Sequence, residues 1–238
     1  MRHALYVPPF GTFGSPRLLI ELAVAAEAAG WDGFFLWDHL LYQSDVPFTD
    51  AWVALAGVAA STDRIRIGPL ITPLSRRRPW KVAREAVALD HLSDGRLVLG
   101  VGLGIDFWRE FSAFGGEAAD DMARAELVDD GIEILTRLWS GEPVNYRGAR
   151  LSVYGARFLP RPVQQPRIPL WSAAVWPFRP GPLRRAARCD GVMPFRPGGP
   201  MTPADVDALL AGIAPHRETD GPYDVCIHGP SDQAAEYE

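Results

Sequence analysis

Cysteine is scarce in this chain, with two in 238 residues, Cys189 and Cys226. Their spacing makes neither a disulfide framework nor a redox or metal motif. No His-x-His pair or carboxylate cluster with metal spacing occurs, which argues against a metallohydrolase. There is no long basic run and the net charge is −5, so nucleic acid is not an expected partner. No apolar run approaches the length needed to span a membrane, and the N-terminal Met1 to Pro9 has no signal-peptide core. The expectation is a cytoplasmic protein with no membrane association. What is present is an ordinary globular composition, 47% hydrophobic and 22% charged. The length suits one large domain or two small ones.

Short apolar runs alternate with helical patterns. The strands expected are 4–7, 33–37, 65–71, 97–101, 169–174, 191–194 and 223–227. The helices expected are 16–29, 50–61, 80–92, 121–139, 182–188 and 203–214. This alternation predicts a parallel sheet. The strands are continuously apolar, so both of their faces are buried. Seven of them point to a TIM-type (β/α) barrel in a single domain, lacking the eighth strand and last helix; an open doubly wound sheet is the alternative. Residues 141–158 are too long for a plain connection and read as an excursion. Ser15-Pro16 reads as a helix cap with proline at the first helical position, and Ser93-Asp94-Gly95 as a tight turn.

The most informative stretch runs from Ala28 to Leu40. A helix ends at Gly30, a buried strand covers Gly33 to Trp37, and Asp38 and His39 stand where that strand gives out. Ligands of parallel α/β proteins bind at strand C-termini, and histidine changes charge near neutral pH. His39 is therefore the candidate proton-handling residue, with Asp38 a candidate to orient it or to cap the next turn.

Several segments together resemble the bacterial luciferase-like superfamily of flavin- and deazaflavin-dependent oxidoreductases. They are Glu27-Ala-Ala-Gly-Trp-Asp32, Trp37-Asp38-His39, Arg64 to Thr72, Arg78-Pro79, and the run Leu92 to Gly104 (LSDGRLVLGVGLG), the most specific match. Glu110 to Gly115, Ile168 to Ala174, Arg184 to Gly191 and Gly229-Pro-Ser-Asp232 complete the resemblance, which spans the whole chain. The usual Gly-Gly after the fifth strand is Ala173-Ala174 here, followed by Val175-Trp176-Pro177.

The resemblance implies catalysis through His39 and Asp38. It implies that a cofactor ring is backed by Pro69, Leu70, Ile71 and Thr72, where the family often carries a non-prolyl cis peptide. Gly102 and Gly104 would let the backbone approach that ring, His39 would hydrogen-bond it, and Ser172, Ala173, Ala174 and Val175 would offer backbone N–H groups to its phosphate. Arg76-Arg77-Arg78 reads as a solvated loop or as a clamp on an anionic tail.

The Asp-His ending resembles the branch using coenzyme F420 more than the FMN monooxygenase branch. The first implies hydride transfer with a small organic substrate. The second implies oxygen activation, with a separate reductase supplying reduced cofactor. A non-catalytic flavin-binding protein of the same fold is the alternative function. Helix 50–61 is apolar on nearly all sides and must be buried all round, so a homodimer is expected, with the 141–158 excursion as the alternative cover.

Overall fold

The computed structural model describes residues 1–41, 46–118 and 120–229. The chain divides into two compact units, Met1–Pro169 and Leu170–Glu238. The helix start read at Gly229 to Asp232 lies outside the described residues beyond Gly229.

The first unit begins with β1 (Ala4–Val7), α1 (Pro16–Ala28), β2 (Gly33–Leu36), α2 (Ala51–Ser61) and β3 (Arg66–Pro69). It continues with β4 (Thr72–Pro73), α3 (Pro79–Leu92), β5 (Leu99–Gly102) and α4 (Asp121–Leu138), then the antiparallel pair β6 (Val144–Arg147) and β7 (Ser152–Ala156). β1, β2 and β3 pair in parallel in that order, and β4 pairs in parallel with β5. A bridge between Ile67 and Leu97 joins β3 to the approach of β5. Gly68 makes this approach possible, because a Cβ there would lie 1.8 Å from the Val98 carbonyl oxygen. Every residue of β2 and β5 is buried, as expected for parallel strands covered on both faces.

Helix boundaries follow local chemistry. Asp50 caps α2 by accepting from the Val53 N–H at 2.8 Å, and Asp120 does the same for α4 through Ala123. Pro16 opens α1, but the Ser15 hydroxyl makes no capping bond. Gly30, at φ +87°, turns the chain out of α1. Asp94 and Gly95 both take positive φ in the turn after α3.

The single strand expected at 65–71 is interrupted. β3 stops at Pro69, Leu70 and Ile71 form a turn, and pairing resumes at Thr72 against a different neighbour. The Leu70–Ile71 peptide is cis. Helix α2 also departs from the all-round burial expected of it. Val53 is 71% exposed and Ala60 is exposed. Ala56 and Gly57 are half-buried, and Ile20 of α1 fills the space a Gly57 side chain would need. The hairpin at 141–158 packs instead near α3 and α4, where Arg84 stacks on Phe158.

The second unit holds β8 (Leu170–Val175), α5 (Pro180–Ala187), β9 (Gly191–Phe195), α6 (Pro203–Ile213) and β10 (Asp224–Val225). β9 pairs in parallel with β8 on one side and β10 on the other. Its core is Ala174, Ala186, Val192, Leu209 and Ile213. Thr202 and Asp205 form a reciprocal capping box at the start of α6.

Candidate active site

Where β2 ends, the chain still follows β1 for one bond, Trp37 N–H to the Val7 carbonyl at 3.2 Å. The next two side chains then part, as neighbours in extended chain must. Asp38 turns inward and is 2% exposed. Its Oδ2 accepts from Trp52 Nε1 at 3.0 Å and from Thr72 Oγ1 at 2.8 Å. Its Oδ1 accepts from Arg77 Nη2 at 2.9 Å. Arg76 Nη2 donates to the Asp38 backbone carbonyl at 2.8 Å.

His39 turns toward Glu110. Its Nδ1 lies 2.7 Å from Glu110 Oε2, and the Glu110 side chain is wholly buried. The other carboxylate oxygen accepts from the Leu40 N–H at 2.5 Å, the Leu41 N–H at 3.3 Å and Arg76 Nη1 at 3.2 Å. Arg76, with only 1% of its side chain exposed, thus bridges both acids. A buried charge needs such pairing.

Burial pushes the Glu110 carboxyl upward. The hydrogen bond and charge of His39, the Leu40 N–H and the Arg76 guanidinium outweigh it and hold the group below the ordinary glutamate value. Glu110 is therefore an anion at neutral pH. An anion at Nδ1 assigns the proton to that nitrogen and leaves Nε2 to face outward, since it bonds to nothing among the described residues. A histidine so held accepts a proton at Nε2 when neutral and donates one when charged.

The structure corrects three parts of the sequence reading. Glu110, not Asp38, orients His39; Asp38 instead organises Thr72, Trp52 and the two arginines, and caps no turn. Arg76 and Arg77 are not a solvated loop, because each is held by a carboxylate; only Arg78 is exposed. Gly104 takes φ +74°, and the space its Cβ would fill belongs to Phe111 and Pro73. Internal packing thus accounts for that glycine without any ring. Gly102 closes β5, and Pro69, Leu70, Ile71 and Thr72 lie at the break between β3 and β4. Thr72 meets Asp38 directly. In the second unit, β8 runs on to Val175, so Ser172, Ala173, Ala174 and Val175 lie in the ladder with β9. None of the four has positive φ, so alanine carries no strain there.

Glu110 went unassigned because its only signal was its place in the Glu-Phe-Ser-Ala-Phe-Gly segment. Its partner is 71 residues away, a separation no local pattern reports. Neighbouring Arg109 takes φ +62°, uncommon for a residue with a side chain and frequent near functional sites.

Fold and site together define an α/β protein of the TIM-type class, with a histidine–carboxylate pair at the C-terminal ends of its parallel strands. The chain belongs to the luciferase-like monooxygenase family, whose model matches residues 5–231. It is 33% identical over 167 residues to an F420-dependent glucose-6-phosphate dehydrogenase of Amycolatopsis mediterranei (strain U-32), a match covering 68% of this chain and 49% of the relative. The chain spans about half the length of the curated relatives it matches.

Among solved structures, it resembles an F420-dependent secondary alcohol dehydrogenase in complex with an F420–acetone adduct. That match has a TM-score of 0.79 at 19% identity, over 94% of this chain and 68% of that one. It also resembles the FMN-bound oxygenating constituent of 3,6-diketocamphane monooxygenase from Pseudomonas putida. There the TM-score is 0.74 at 17% identity, over 94% and 66% of the two chains. These likenesses show the shared fold.

Proposed function

We propose that the chain carries the active site of an oxidoreductase that uses a deazaflavin, coenzyme F420 in preference to FMN, on a small organic substrate. The observation that carries this reading is the His39–Glu110 pair at a strand C-terminus, with Nε2 unbonded among the described residues. A bound deazaflavin supplies or accepts a hydride. The chain's own part is the matching proton: His39 Nε2 takes it from a hydroxyl whose carbon gives up hydride, or returns it to a carbonyl oxygen in the reverse direction. Glu110 stabilises the imidazolium formed on the way, and Arg76 keeps Glu110 charged.

The residues fit a flat heterocycle. The indole Nε1 of Trp37, beside His39, is buried without a hydrogen-bond partner among the described residues, and a buried donor of this kind calls for an acceptor. His39 and the Pro69–Thr72 turn would hold the ring.

The FMN monooxygenase reading is second, favoured by the likeness to the FMN-bound camphane enzyme. In that case a separate reductase supplies reduced cofactor. A non-catalytic flavin-binding protein of the same fold is the third. Calorimetry should show coenzyme F420 binding at least tenfold tighter than FMN, about 1.4 kcal/mol. Equal or reversed affinities would sink the deazaflavin assignment, and binding without any turnover of reduced or oxidised cofactor would favour the binding protein.

We also propose a homodimer through α2. Val53, Ala56 and Ala60 leave a narrow apolar stripe that the first unit does not fully cover, and two-fold dimers are the commonest assembly. Light scattering at micromolar concentration should give twice the chain mass; a monomer mass that persists on concentration would count against it.

A further inference from the structure

Six aromatic rings run continuously to both sides of His39. Phe48 stacks on Phe10 with centroids 6.0 Å apart, and Phe10 meets Trp37 edge-on at 5.7 Å. Trp37 also touches Tyr6 at 5.5 Å and His39 at 5.9 Å. On the far side, Trp108 meets the imidazole edge-on at 5.2 Å and touches Phe107 at 5.3 Å. Tyr6 belongs to β1, and the other five rings come from the loops after β1, β2 and β5.

None of the six is buried. Five are partly buried and Phe107 is 80% exposed. The loops behind them are nevertheless stitched together, because Gly11 N–H donates to the Pro47 carbonyl and Thr49 N–H to the Pro9 carbonyl, each at 2.9 Å. Phe10 and Phe48 themselves form an antiparallel bridge. A contiguous, backbone-braced apolar patch around one open polar nitrogen is the chemistry of a small-molecule pocket. It offers ring faces and edges to a flat apolar body. It offers little to a phosphate, since Arg76 and Arg77, the guanidinium groups that reach this centre, are both held by carboxylates.

We infer that the substrate is a neutral alcohol or carbonyl compound on an aromatic or similarly flat apolar body, seated on these rings with its oxygen at His39 Nε2, and not a sugar phosphate. This rests on the oxidoreductase reading above and adds the substrate class to it.

Calorimetric titration tests it, with 1-(2-naphthyl)ethanol and glucose 6-phosphate as probes, on the full chain with and without coenzyme F420. The naphthyl alcohol should bind at least tenfold tighter than glucose 6-phosphate. Trp108→Ala should weaken it tenfold or more. Phe107→Ala, at an exposed position where folding is not at stake, should weaken it about threefold. Glucose 6-phosphate binding as tightly or tighter overturns the substrate class, and its turnover would leave the oxidoreductase reading standing. Displacement of the naphthyl alcohol by F420 also overturns the inference, because the rings beyond Trp37 would then hold the cofactor. Ring-dependent binding of the naphthyl alcohol in a protein that binds neither F420 nor FMN would sink the oxidoreductase reading and leave the pocket chemistry as stated. Affinity unchanged in both ring variants overturns the inference outright.

Discussion

His39→Ala should lower turnover by a factor on the order of 10² or more, the usual loss when a positioned proton donor or acceptor is removed. The melting temperature should move by no more than about 2 °C. The two expectations have separate physical grounds. Turnover depends on Nε2, the one atom of the pair that faces outward. Stability depends on Glu110, which keeps its Leu40, Leu41 and Arg76 partners when the imidazole is gone. The His39 side chain is 16% exposed, so water can reach the carboxylate oxygen it leaves. Steady-state consumption of cofactor and circular dichroism melting make the comparison. If activity survives intact, or the variant unfolds, the histidine is a structural residue.

Glu110→Gln should produce the largest loss of stability. The substitution keeps the shape and removes the charge, leaving the buried Arg76 with one anion fewer and placing an amide against His39. Removing one member of a buried pair costs about 3 kcal/mol or more, roughly 6–12 °C of melting temperature in a chain of this size. The pH dependence gives a second signature. The folded-state pKa of Glu110 lies below its unfolded value. Its contribution is therefore fully present above the unfolded glutamate value of about 4.3, and is lost as pH falls from there through the folded value. Wild type and variant should differ by a constant amount at neutral pH and converge in acid. Other depressed carboxylates, Asp130 and Asp205 among them, steepen the acid limb of both proteins equally, so the difference isolates Glu110. Turnover should fall too, because an amide donating to Nδ1 moves the imidazole proton to Nε2. A variant that melts with wild type across the acid range would show that the glutamate carries no such charge.

Much of the fold was legible in the sequence because its signals are local. Continuous apolar runs mark β2 and β5 as doubly covered strands. Proline at the first helical position opens α1 and α6, as read, and Gly30 and Asp94-Gly95 mark turns that need positive φ. The histidine at the end of β2 was legible for the same reason, since a polar pair after a buried strand lands at the mouth of a parallel sheet. The break after Pro69 was harder to see. Ile65 to Ile71 reads as one strand with only Arg66 interrupting its apolar residues, and the change of pairing partner from β2 to β5 shows that the ladder breaks after Pro69.

What the sequence by itself determined is therefore most of the elements, their order and the position of His39, because each follows from residues within one turn or strand of one another. The tertiary structure decided which groups act on that histidine. Glu110, Arg76 and the ring of Phe10 reach the centre across tens of residues of intervening chain, and no local pattern names the partner each finds there. A charge is assigned its partner only when both leave water together. Asp38 and Glu110 could each have served His39, and the pleat of the chain after β2 turned one inward to the arginines and left the other facing the imidazole.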